Sequence, residues 1–291
     1  MRILNVHLQV ADLARAEEFY CDILGFKVAS TGPQSIELRA ESFGDPIMKL
    51  TEVADATLRP ESSTGLFHAA ILLPSRKELA RLLKRLAERR YRLQGFADHG
   101  VSEAIYLADP DGNGIELYAD RPKAEWPFTD DGLEMFTKAL DVDDLMSELG
   151  TDAQEWKGIH PATTMGHIHL QVSDLGKAEH FYHRTLGFDI MQKTFVGALF
   201  LSADGYHHHI GLNIWNSKGA SPAPKDAIGL SRFTVEMSDL IALRHIQLQC
   251  QHSGFALEEV QPDKSSMPSL LVRDPDGIEV EFVVQERIFV N

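Results

Sequence analysis

Cysteine is nearly absent. Cys21 and Cys250 are the only two in 291 residues, and no Cys-x-x-Cys pair occurs. A disulfide framework and a cysteine-rich zinc site are therefore excluded, and both cysteines read as buried or half-buried free thiols. Long apolar runs are missing too. None approaches the roughly 20 residues needed to span a bilayer, and the opening Met1-Arg-Ile-Leu-Asn-Val-His7 is too polar for a signal peptide. Nor is there a basic excess. The formal charge is −15, which repels a phosphate backbone and argues against a nucleic-acid partner. A cytoplasmic protein with no membrane partner is the expectation, and a homo-oligomer stays open. What is present is ordinary globular material, with 44% apolar and 24% charged residues. The length suits two domains.

The chain repeats itself. His7-Leu-Gln-Val-Ala-Asp-Leu13 recurs as His169-Leu-Gln-Val-Ser-Asp-Leu175, and Leu24-Gly-Phe26 recurs as Leu186-Gly-Phe188, both at an offset of 162 residues. Each half divides again, giving units over 1–55, 64–122, 163–216 and 226–284. Every unit reads as strand, helix, then about three strands. Val6, Leu8 and Val10 alternate with His7 and Gln9 as on a half-buried strand. Leu79, Leu82, Leu83 and Leu86 fall on one helical face. Asp12, Ser75, Asp174 and Ser238 are placed to cap helix starts, and Gly25 and Gly187 suit helix ends. The halves 1–122 and 163–284 are joined by an acidic stretch, 123–162, without β-pattern. There Leu133, Phe136, Leu140, Leu145 and Leu149 suggest one or two short helices. So long a connector permits units that are not sequence neighbours to pack together.

One segment carries chemistry. His99-Gly-Val-Ser-Glu-Ala-Ile-Tyr106-Leu-Ala-Asp109-Pro-Asp-Gly-Asn-Gly-Ile-Glu116 places a histidine, a tyrosine and a carboxylate on a strand, a turn and a returning strand. Asp274-Pro-Asp-Gly-Ile-Glu-Val-Glu281 repeats the turn 165 residues later without the histidine or the tyrosine. Only one copy is equipped.

Tandem βαβββ units of this kind resemble the vicinal oxygen chelate superfamily, which includes glyoxalase I, fosfomycin and bleomycin resistance proteins and extradiol ring-cleaving dioxygenases. His99, Ile105, Tyr106, Asp109, Pro110, Gly112 and Glu116 fit the extradiol signature, with Ala97 as a departure. The whole chain is most similar to the catechol-2,3-dioxygenase type found in bacilli, a likeness carried also by Met165-Gly-His-Ile-His-Leu170 and Tyr206-His-His-His-Ile-Gly-Leu-Asn213. The resemblance implies an α+β fold in which modules pair into two open β-cups. It implies ligands for Fe(II), or Mn(II), drawn from first and last strands, and a small aromatic diol with O₂ as substrates.

Carried over unit by unit, unit two offers His68 and Glu116, unit three offers His167, and unit four offers Ser231 and Glu281, while unit one offers Asn5 and Lys49, which are no ligands. Neighbouring units would make two incomplete sites. Pairing units two and three completes a His68, Glu116 and His167 set, the two-histidine, one-carboxylate pattern of non-haem iron. A pairing of units three and four, using His167 and Glu281 with a histidine such as His209, remains the alternative. His169 shares a face with His167 and competes with it. His7 is expected to be structural, and Glu281 a hydrogen-bonded remnant of the duplication. Of the run His207-His208-His209, the resemblance assigns His209 an acid–base role, with His207 on its face and His208 pointing away. Tyr106 and His99 would hydrogen-bond the substrate oxygen. Three rivals remain: a glyoxalase-type metal-dependent isomerase or lyase, which usually wants two carboxylates, a metal-free binding protein of the resistance kind, and a ring-cleaving enzyme that acts on hydroquinones rather than catechols.

Overall fold

The computed structural model describes residues 1–41, 44–130, 132–151, 155–260 and 268–284. Unit one runs β1 (Arg2–Val10), α1 (Leu13–Glu17, continued by π-turns over Glu18–Ile23), β2 (Lys27–Gly32), β3 (Ser35–Arg39) and β4 (Met48–Glu52). Unit two runs β5 (Gly65–Leu73), α2 (Arg76–Glu88), β6 (Leu93–Asp98), β7 (Ser102–Ala108) and β8 (Gly114–Asp120). The connector holds a 3₁₀ turn (Lys123–Glu125), the two-residue strands β9 (Phe128–Thr129) and β10 (Gly132–Leu133), and α3 (Val142–Ser147). Unit three runs β11 (Thr164–Gln171), α4 (Leu175–Glu179, with π-turns over His180–Thr185), β12 (Asp189–Gln192), β13 (Ala198–Ser202) and β14 (Ile210–Asn213). Unit four runs β15 (Gly229–Met237), α5 (Leu240–Ser253), β16 (Leu257–Val260), β17 (Ser269–Arg273) and β18 (Glu279–Val284).

The sheets join units across the two halves. One eight-stranded sheet has the order β16-β17-β18-β15-β1-β4-β3-β2, so unit four meets unit one. The other has the order β12-β13-β14-β11-β5-β8-β7-β6, so unit three meets unit two. In both, the first strands of two units pair antiparallel, β1 with β15 and β5 with β11. Both sheets are open.

Local chemistry follows the pattern with two differences. Val6, Leu8 and Val10 are buried, as are Leu79, Leu82, Leu83 and Leu86. Each fully buried leucine contributes about 1.5–3 kcal/mol. Asp12, Ser75 and Asp174 accept from the backbone amides of Arg15, Glu78 and Lys177, but α5 is capped by Asp239, not Ser238. Asp239 stands three residues before Ala242, whose amide it accepts; Ser238 instead hydrogen-bonds Asp239. The connector holds one α-helix among its described residues. Where no β-pattern is expected, Phe128–Thr129 and Gly132–Leu133 form a small ladder, Gly132 opposite Thr129, and Gly132 takes a φ of +108° that glycine alone adopts freely.

The repeated Asp-Pro-Asp-Gly turns clamp sequence neighbours. Buried Asp109 of unit two accepts the Tyr20 hydroxyl of unit one at 3.1 Å, and Asp111 accepts the Ala11 amide at 3.0 Å. Asp274 of unit four accepts the Tyr182 hydroxyl of unit three at 3.0 Å, and Asp276 accepts the Ser173 amide at 2.9 Å. Sheets therefore tie unit two to three and one to four, while these clamps tie one to two and three to four.

Candidate metal centre

Strand register puts the chemistry on one face. His169 lies opposite His68, and His167 opposite Ala70, across β11 and β5. Ala70 lies beside Glu116 on β8, and Glu116 lies opposite Tyr106 on β7. Residues directly across a ladder share a face. Thus His68, Glu116, His167, His169 and Tyr106 all enter one cup. Glycine makes room for them. A Cβ on Gly114 would meet the Phe67 carbonyl oxygen at 2.1 Å, and one on Gly211 would press the His169 ring at 2.9 Å.

His68, Glu116 and His167 present ligand atoms all within 4.8 Å of one another, and all three are buried. Glu116 Oε2 stands 2.9 Å from His68 Nε2 and 3.2 Å from His167 Nε2. The second contact is a hydrogen bond. The first is misaligned for one, so His68 Nε2 is a buried nitrogen without a hydrogen-bond partner among the described residues. Burial by itself would raise Glu116, but the His167 and His68 imidazoles outweigh it and hold the carboxyl well below the usual carboxylate range. Burial also takes His167 down to about 4. Near neutrality Glu116 is therefore a carboxylate and His167 a neutral imidazole, with the His68 nitrogen beside them. That donor chemistry fits a divalent ion of the iron or manganese kind, and a cation would satisfy the orphaned His68 nitrogen. The alternative with Glu281 is not assembled: Glu281 sits in the other sheet, accepting from Ser269 at 2.9 Å and from Arg232 at 3.5 Å. His7 hydrogen-bonds Thr51 at 2.8 Å in that same sheet.

The centre opens into a cavity of about 440 Å³, a common size for a small-ligand site. Phe67, Phe96, Phe195, Phe200 and Trp215 line it, together with Met135, Phe136 and Thr137 of the connector. His99 and Tyr106 stand on its wall. His99 Nδ1 is 2.8 Å from the Phe136 carbonyl, which can only accept, so Nδ1 carries a proton. In the neutral ring, Nε2 then accepts from the Tyr106 hydroxyl at 2.7 Å. Burial, aided by the Glu116 carboxylate, pushes Tyr106 well above the usual phenol range, so it remains an O–H donor.

The histidine run is a correction. His208, not His209, lines the cavity; its ring lies 4.0 Å from that of His167. His209 turns away, with Nδ1 held by Ser202 Oγ at 3.0 Å and the Ala203 amide at 3.2 Å. His207 is fully buried against Asp120. Strand alternation misassigns these three because regular β14 starts only at Ile210, after left-handed residues at Asp204 (φ +57°) and Gly205 (φ +67°). The connector wall was not foreseen either, since nothing in residues 135–137 marks them as cavity-lining. His169 joins the cavity with a buried Nε2 that has no hydrogen-bond partner among the described residues.

The buried imidazoles carry a pH prediction. Burial is the main cause that lowers His167 and His209 to about 4 and takes His169 and His208 well below 6.5. A histidine depressed in the fold contributes stability that is fully present above its unfolded value, about 6.5, and is lost as pH falls through its folded value. Asp109 and Asp274, raised by burial, act in the opposite direction, Asp274 reaching about 7, but they are two groups against five, since burial also lowers His7 to about 4. The urea midpoint of chelator-treated protein should hold above pH 7 and fall steadily from about pH 6.5 towards 4. A midpoint unchanged down to pH 4.5 would contradict neutral burial of these rings.

With this geometry in view, the comparisons define the class. The chain belongs to the Glyoxalase/Bleomycin resistance protein/Dioxygenase superfamily, whose family model matches residues 2–117 and 164–282. Within it the chain is catechol-2,3-dioxygenase-like. It is 43% identical over 281 residues to "Catechol-2,3-dioxygenase" of Bacillus subtilis (strain 168), covering 95% of this chain and 95% of that protein. It is 30% identical over 126 residues to "Biphenyl-2,3-diol 1,2-dioxygenase 3" of Rhodococcus globerulus, covering 41% of this chain and 63% of that one. The crystal structure of glyoxalase I from Zea mays superposes with a TM-score of 0.61 at 18% identity, covering 97% of this chain and 92% of that one. That last likeness concerns the fold alone. Among the described residues no helix is long and apolar enough to cross a membrane.

Proposed function

We propose that this chain is an Fe(II)-dependent extradiol dioxygenase that opens the ring of a catechol-type diol beside its hydroxyls. It is a catechol-2,3-dioxygenase-like oxidoreductase by its relatives' names, at 43% identity over 95% of the chain. The observation that carries the finer reading is the convergence of His68, Glu116 and His167 at the base of an aromatic cavity. In this reading those three residues hold iron, which when bound supplies Lewis acidity for the diol oxygens and a redox centre for O₂.

The chain's own residues do the rest. The Phe67, Phe96, Phe200 and Trp215 rings cover the apolar face of the substrate and exclude water. Tyr106 and His99 form a hydrogen-bonded pair beside Glu116; on substrate binding the Tyr106 hydroxyl would turn its proton from His99 to the deprotonated diol oxygen and orient the ring, with His99 holding Tyr106 in place until then. His208 faces the cavity from the irregular segment that leads into β14 and is the histidine that would take and return a proton during ring opening. His209 was expected in that role, but its Nδ1 is engaged by Ser202 and Ala203 outside the cavity. The set has one carboxylate, which favours this reading over the isomerase.

The test is anaerobic loading with Fe(II), or separately Mn(II), followed by catechol and O₂. A yellow semialdehyde formed with stoichiometric O₂ uptake is the expected result. Metal-loaded protein that consumes no O₂ with any simple catechol, yet isomerises a thiol adduct, would replace the reading.

A further inference from the structure

His207 and Asp120 stand outside the cavity and are used by none of the steps above, yet both are joined to His208. Asp120 Oδ1 is 2.9 Å from His207 Nε2, and His207 Nδ1 is 2.8 Å from His208 Nδ1. The chain runs from a partly exposed carboxylate at the end of β8, through a fully buried imidazole, to a ring that lines the cavity. The Tyr206 hydroxyl donates to the same Asp120 oxygen at 3.2 Å, and Tyr206 is in turn 2.8 Å from the Tyr118 hydroxyl. Two donors thus converge on one carboxylate oxygen and hold it in place.

Proton bookkeeping along this chain has one neutral solution. A carboxylate only accepts, so His207 Nε2 carries the proton. A neutral His207 then has a bare Nδ1, which accepts. The proton in the 2.8 Å contact must come from His208 Nδ1. His208 Nε2 is left without one. We propose that Asp120 and His207 are positioning residues that hold His208 as its Nδ1-protonated tautomer, with the Nε2 lone pair given to the cavity. This rests on the reading of the cavity as the dioxygenase site only for its catalytic consequence; the tautomer itself is a property of the metal-free chain. A histidine so held meets the substrate as an acceptor, able to take a proton at Nε2. The opposite tautomer would meet it as a donor and could take none there. The same logic governs a hydrolase triad, where a wrongly held imidazole costs up to about 10⁴ in turnover.

The experiment is long-range ¹H–¹⁵N correlation on metal-free, ¹⁵N-histidine-labelled protein, with His208→Gln to assign the ring. The expected wild-type pattern is a protonated Nδ1 and a bare Nε2. His207→Phe, which removes the acceptor, should give a mixed or inverted His208 pattern. His207→Asn, whose amide oxygen can stand where Nδ1 stood, should restore it. With iron bound, His207→Phe should lose roughly 10²-fold in kcat with KM within about threefold, the size of one acid–base contribution, and His207→Asn should recover at least tenfold of it. A wild-type His208 protonated on Nε2, or a doubly protonated His207, overturns the proposal even if no variant folds. An unchanged His208 tautomer in folded His207→Phe also overturns it. If wild-type protein shows the expected tautomer but no ring cleavage, the dioxygenase reading fails while the tautomer assignment stands.

Discussion

Glu116→Gln should empty the metal centre while leaving the fold in place. Glu116 is the single anion of the donor set, and glutamine keeps its shape without its charge. The loss should exceed the 10–100-fold in affinity or activity that removing a ligand's supporting partner costs, so ring cleavage should fall by at least about 10²-fold. A readout independent of turnover is available. A divalent ion at 100 times its Kd stabilises the folded protein by about 2.7 kcal/mol. Wild-type protein titrated anaerobically with Fe(II) should therefore show a higher thermal midpoint, and Glu116→Gln should show almost none of that rise. Its metal-free midpoint should lie near the wild type's, because an amide can still pair with His167. A variant that kept both the metal-induced shift and turnover within threefold would remove Glu116 from the site.

Asp109→Ala should be the most damaging single change away from the metal. The buried Asp109 carboxylate accepts from the Tyr20 hydroxyl, the Asp111 amide, and both the backbone and side-chain nitrogens of Asn113. Truncation leaves these donors unpaired in the interior, at about 1–3 kcal/mol each where water cannot replace the acceptor. A total of about 3–5 kcal/mol is expected, a fall on the order of 10 °C in thermal midpoint. Asp274→Ala removes the matching clamp, with Tyr182, Asp276 and Ile278 as its partners, and should cost a similar amount. The two should differ in activity. Asp109 leads into the strand that carries Glu116, whereas Asp274 belongs to the other sheet, away from the His68, Glu116 and His167 set. Below the unfolding temperature, Asp274→Ala should retain most turnover and Asp109→Ala should not. A drop of less than about 1 kcal/mol in either variant would mean that the turn needs no buried acceptor.

Much of this architecture is legible in one dimension because the repeat is strict. The 162-residue offset marks two related halves, each half divides again into two units, and the ligand positions that the family resemblance implies single out units two and three as the pair with a complete donor set. The sheet order has that pairing. What escapes the sequence is set by backbone irregularity and by contacts distant in the chain. Asp204 and Gly205, both left-handed, break the strand period that would have put His209 in the cup, and His208 enters instead. Met135 is drawn to the cavity wall by Gln192, whose side chain accepts from its amide at 3.2 Å and donates to its carbonyl at 3.0 Å, 57 residues away. No local pattern encodes such a contact. The Asp-Pro-Asp-Gly turn is misleading in another way. It accompanies the segment that carries Glu116, yet its aspartates work as clamps, and unit four keeps the turn although, among the described residues, its sheet assembles no comparable donor set.

The cross-pairing of units has a mechanical consequence. Each half of the polypeptide lends one quarter to each sheet, so the halves are interlocked like two hands with exchanged fingers. Expressed alone, residues 1–122 would expose the bare edges of β1 and β5, the very edges that their missing partners cover, and residues 163–284 would expose the matching edges of β15 and β11. The two fragments mixed together hold every strand of both large sheets, whereas neither holds them by itself.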